Sequence, residues 1–133
     1  DVDAFSELSR IVCTLKQNGL NVIRRKIETT PQHKNAIAYR GESTTYFESH
    51  LSIIGEYSDM ANIKEQGLHI SRNVQKINNV MATLRLSVPL REFQERLEHI
   101  KNLFTSKYKI EKEVIEFALF DDNITHDAEW IGS

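Results

Sequence analysis

The sequence predicts an α+β domain built as a two-layer sandwich: a four-stranded, mainly antiparallel sheet with two long helices on one face. Three observations lead there. Residues 3–18 and the segment that Pro89 opens carry apolar side chains at three- and four-residue steps, the spacing of one helical face. Residues 20–28, 44–54, 80–88 and 109–120 alternate as half-buried strands do, because successive strand side chains point to opposite faces. Two apolar helical stripes need a surface to cover, and each strand supplies one apolar face, so both helices belong on the same side of one sheet. A chain of 133 residues fits a single domain spanning 1–133. At that size roughly two-thirds of the unfolded surface is buried, enough for one core.

The first helix buries Phe5, Leu8, Ile11, Val12 and Leu15, with Asp3 at its start and Asn18-Gly19 as its stop. Cys13 borders that stripe as a small, partly buried residue. The first strand, 20–28, alternates Ile23 and Ile27 with Arg24, Arg25 and Lys26. Such basic residues either discourage pairing at a sheet edge or border an anion site. A polar connection follows, 29–43, with His33 as a solvated loop histidine. In the second strand Phe47, Leu51 and Ile53 share one face, and Tyr46, Glu48, His50 and Ser52 share the other. A short helix starting near Ser58 ends at Gly67, and the polar group His69-Ile70-Ser71-Arg72-Asn73 lies directly beyond that stop. The third strand sets Val80, Ala82, Leu84, Leu86 and Val88 against Met81, Thr83, Arg85 and Ser87. Pro89 then begins the second long helix, whose stripe is Leu90, Phe93, Leu97, Ile100 and Phe104. The last strand has Ile115, Phe117 and Leu119 on one face and Val114, Glu116 and Ala118 on the other. This order of elements resembles a ferredoxin-like fold with a shifted start.

Composition narrows the function classes. Apolar and charged fractions of 40% and 27% are those of an ordinary globular protein. A net charge of −2 gives no general affinity for nucleic acid. The single cysteine cannot close an internal disulfide, which points to a reducing, cytoplasmic location. No apolar run approaches the roughly 20 residues of a membrane span. The chain opens on Asp1 rather than Met, as a trimmed terminus or an excised domain would. GxGxxG, P-loop and GxSxG signatures are lacking. Asp121, Asp122, Asn123, His126 and Asp127 offer oxygen and imidazole ligands, but without a recognised spacing they read as a solvated acidic tail, with Trp130 as its anchor. No metal and no cofactor is expected.

With helices on one face, the other face of the sheet carries Glu48, His50, Ser52, Thr83, Arg85, Ser87 and Glu116, a cluster of titratable groups and hydroxyls. The sharpest motif is a repeated tripeptide, His50-Leu51-Ser52 and His69-Ile70-Ser71. In a strand, residues i and i+2 share a face, so His50 and Ser52 point at one ligand, and two imidazoles can divide the work of base and acid near neutral pH. The pair resembles the two H-x-[ST] motifs of the 2H phosphoesterases, which cleave cyclic phosphates and related esters. That family carries its motifs on two halves of a larger fold, whereas here they lie close in sequence. The resemblance implies His50 and His69 as the proton-transfer pair. Glu48, Ser52 and Ser71 are expected to bind ligand beside them, and Arg72 and Arg85 to clamp an anionic small molecule or nucleotide. The alternative is a non-catalytic protein-interaction domain that uses the same sheet face, a homodimer included.

Overall fold

The computed structural model describes residues 2–41 and 45–123. Helix α1 (Val2–Gln17) leads to strand β1 (Lys26–Thr29), the short helix α2 (Lys34–Ala38) and strand β2 (Tyr46–Ile54). Next come α3 (Tyr57–Met60), β3 (Leu68–Arg72) and β4 (Asn79–Leu86), then helix α4 (Leu90–Thr105) and strand β5 (Lys109–Asp121). The strands form one sheet of five in the order β1-β5-β2-β4-β3, every neighbouring pair antiparallel. No helix among the described residues is long and apolar enough to cross a membrane.

The core lies between one sheet face and α4. Phe47, Leu51 and Ile53 of β2, Val80, Ala82 and Leu84 of β4, and Phe117 of β5 pack with Phe93, Leu97, Ile100 and Phe104 of α4. Ala36 and Tyr39 from α2 and its C-cap, with Met60 of α3, close the layer. Leu86 and Leu119 join at the margin, partly buried. Pro89 stands at the N-cap of α4, one place before its first helical residue. His33 caps α2, its Nδ1 accepting the Asn35 N–H at 3.1 Å, so it is a structural cap and not a solvated loop residue.

Three expectations are corrected. The sheet has five strands and not four, because residues 68–72 form an edge strand on β4. Gly67, at φ +77°, turns the chain onto β4 so closely that a Cβ there would lie 2.7 Å from the Arg85 carbonyl oxygen. The first strand is short, 26–29, and residues 20–25 run irregularly, their arginines bound to the end of β5. Two long helices do not share the apolar face either. Ile11 and Leu15 of α1 are 42% and 36% exposed, and Val12 is the buried member of that stripe. Phe5 touches the body edge-to-face on Phe120, with ring centroids 5.6 Å apart, and Cys13 is exposed. Helices α4, α2 and α3 already cover the apolar face, and α1 is left at the β1/β5 margin.

Candidate functional site

Register decides which polar side chains meet. Strands β2 and β3 flank β4, and their tripeptides fall in the same register against it. His50 and His69 both lie opposite Thr83, and Ser52 and Ser71 both lie opposite Met81. Directly opposed residues of antiparallel strands share a face. The face away from α4 therefore carries a row His69–Thr83–His50 and, one step along, a row Ser71–Met81–Ser52. The two histidines are separated by two strand spacings, roughly 9–10 Å at the backbone. All six side chains are half-buried.

Beside this row lies a buried charge network. Glu48, 3% exposed, takes Lys26 Nζ at 3.3 Å and His50 Nε2 at 3.0 Å on Oε1, and Arg85 Nε at 2.6 Å on Oε2. Burial alone would raise the Glu48 carboxyl. The His50 hydrogen bond and the Arg85 and Lys26 charges outweigh burial and hold it down at about 2. The same hydrogen bond raises the His50 imidazole; burial opposes the rise, and the Glu48, Glu116 and Glu28 charges add to it. Glu116 stands 3.9 Å from His50 Nε2. Its own pKa is raised, by burial first and then by Glu28. Behind Glu48, the Tyr46 hydroxyl donates to Asp121 Oδ2 at 2.6 Å, while Arg85 lies over the Tyr46 ring, 4.5 Å from its centroid. Burial and that hydrogen bond push the Tyr46 phenol up to about 12.

The expected site residues therefore part company. His50, His69, Ser52 and Ser71 share one face. Ser52 is engaged by Asn79, donating to its Oδ1 at 3.2 Å and accepting from its Nδ2 at 2.9 Å. Arg85 stands opposite Glu48 and not opposite His50, and its guanidinium is bound to that carboxylate and not presented as an anion clamp. A buried guanidinium and a buried carboxylate are held together because separating them would strand an uncompensated charge. Glu48 is by the same geometry an anchor inside the network, bonded to Lys26, His50 and Arg85. Arg72 lies on the opposite face, across from the core residue Val80, stacked 4.9 Å from the Tyr57 ring centroid. Three positions beyond His69, it has the wrong parity once 68–72 is a strand.

The sequence places Thr83 on this face but assigns it no catalytic or binding role; its hydroxyl is 3.1 Å from His50 Nδ1. Only cross-strand register brings it between the histidines. Asp121 pairs with Arg24, and Asp122 pairs with Arg25. His126, Asp127 and Trp130 lie outside the described residues. Among the described residues no three His, Cys, Asp or Glu side chains converge as metal ligands. The arrangement can hold one imidazolium against a carboxylate, align a hydroxyl with it, and set a second imidazole beyond. No protein-family model matches this chain, and no curated protein or solved structure is significantly similar to it.

Proposed function

We propose that the domain binds or hydrolyses a phosphate-bearing ligand at the His69–Thr83–His50 row. One observation carries this reading: the two His-x-Ser tripeptides stand in the same register on either side of β4, so both imidazoles border one strip of the sheet. Glu48 favours the protonated form of His50, which suits His50 to donate and leaves His69 to accept. Glu48, Glu116 and Glu28 nearly balance Lys26, Arg85 and a protonated His50. A singly charged phosphodiester therefore suits the strip better than a dianion. The strand order β5-β2-β4-β3, with α3 and α4 in the crossovers, supports reading this part as a ferredoxin-like unit to which β1 is added.

A cyclic nucleotide phosphodiester is the probe. His50→Ala and His69→Ala should each lower its turnover on the order of 10²–10⁴-fold, the usual weight of a positioned acid or base. Unchanged turnover in either variant removes that histidine from the site.

A second reading, a non-catalytic protein-interaction or dimerisation domain, has one observation in its favour. Phe5, Ile11, Leu15, Leu20 and Ile23 leave apolar surface exposed along α1 and the segment after it. That reading moves the interface from the sheet face to α1.

A further inference from the structure

We propose that Thr83 is the hydroxyl through which His50 acts on the ligand, and that Glu48 is the positioning residue that fixes the His50 ring; this rests on the two-histidine reading above. Both ring nitrogens of His50 are occupied. Nε2 is 3.0 Å from Glu48 Oε1, and Nδ1 is 3.1 Å from Thr83 Oγ1. An ionised carboxylate only accepts hydrogen bonds, so Nε2 keeps its proton whether the ring is neutral or charged. Nδ1 is then the nitrogen that titrates, and it faces a hydroxyl.

With the ring neutral, Nδ1 accepts the Thr83 O–H. With the ring charged, Nδ1 donates to Oγ1 and the Thr83 proton turns outward, toward the middle of the row. A proton leaving His50 moves from Nδ1 to Oγ1 as the hydroxyl proton passes to an oxygen of the ligand. One proton enters Thr83 and one leaves, no bond forms to its oxygen, and the hydroxyl is restored. This is a carboxylate–imidazole–hydroxyl relay in which the outer member meets the substrate. The groups acting on the ring are Glu48 of β2, Glu116 of β5, Glu28 of β1 and Thr83 of β4; Lys26 of β1 and Arg85 of β4 bind Glu48 behind it, and His69 of β3 lies in register across Thr83. Their carboxylates favour the charged ring, which supports donation toward Thr83.

Imidazole nitrogen NMR of the ligand-free protein and turnover of the cyclic nucleotide test this together. Nδ1 should be the titrating nitrogen while Nε2 stays protonated throughout. Glu48→Gln, in protein shown folded by its amide spectrum, should bring the His50 pKa down. Thr83→Val should lower kcat on the order of 10²-fold with little change in KM, and Thr83→Ser should restore it. Titration at Nε2 overturns the inference. Wild-type turnover in Thr83→Val beside lost turnover in His50→Ala also overturns it, because the ring would then meet the ligand directly, and the two-histidine reading would stand. Absence of turnover by the wild-type protein removes the hydrolytic form of that reading and this inference with it.

Discussion

Helices α1 and α4 are both 16 residues long and both amphipathic, yet α4 buries Phe93, Leu97, Ile100 and Phe104 while α1 buries Val12. The difference lies in the connections and not in the helices. Helix α4 joins β4 to β5, the two strands that flank β2, so its path must cross the sheet over β2. Helix α1 leads through an irregular segment to an edge strand, and nothing in the chain path carries it over the sheet. An apolar stripe tells which side of a helix avoids water. Whether a surface is waiting for it depends on which strands the helix connects.

The comparison is tested most strongly by truncation. Phe93→Ala or Leu97→Ala should lower the free energy of unfolding by about 2–5 kcal/mol, whereas Ile11→Ala or Leu15→Ala should lower it by less than about 1 kcal/mol. Denaturant unfolding measures both, and equal losses would merge the two helices into one core.

Next in size is acid sensitivity, which separates the α4 layer from the polar layer and from the α1–β1 margin. Glu48 falls from an unfolded value near 4.5 to about 2, and Asp121 from 3.8 to about 2. For Asp121, burial works upward, and the hydrogen bonds from Arg24 and Tyr46 overcome it. Both depressed carboxylates stabilise the fold above their unfolded values, and that contribution is lost as pH falls toward 2. His50 has the opposite sign: its raised pKa stabilises fully below 6.5 and less as pH rises through the folded value. Unfolding free energy should therefore be greatest between about 4.5 and 6.5. A flat profile over pH 2–5 would mean that the Glu48 and Asp121 networks add nothing.

The smallest effect is at Ser49, which lies fully buried on the α4 side of β2, its hydroxyl without a partner among the described residues. Ser49→Ala should be neutral or raise stability by up to about 1 kcal/mol, since it removes a buried polar atom without a partner. A melting temperature lowered by several degrees would show that the hydroxyl is bonded.

Much of this architecture was legible in the residues. Strands β2, β4 and β5 alternate clearly, and the α4 stripe names its own core members. Strand β3 escaped because it is five residues long with two apolar residues, Leu68 and Ile70, and it follows a glycine that also reads as a helix stop. Missing β3 hid the parity that sends Arg72 to the far face and sets His69 beside Thr83. The shared face of Glu48, His50 and Ser52 follows from alternation alone. That Arg85 meets Glu48, and Thr83 meets both histidines, follows from pairings between strands far apart in sequence, which local pattern does not encode.

Among the described residues strand β1 hydrogen-bonds within the sheet to β5 alone, with Lys26 opposite Asp121 and Thr29 opposite Phe117. Within the described residues the α1–β1 segment is synthesised before the other strands, and its pairing partner β5 is the last of them to appear. Strands β2, β3 and β4 can meet earlier, since β4 pairs with both and the loops between them are shorter. Until β5 emerges, the nascent chain therefore carries the amphipathic helix α1 and an unpaired β1 preceded by two arginines. Arg24, Arg25 and Lys26 keep that waiting edge charged, which guards it against premature pairing with other chains.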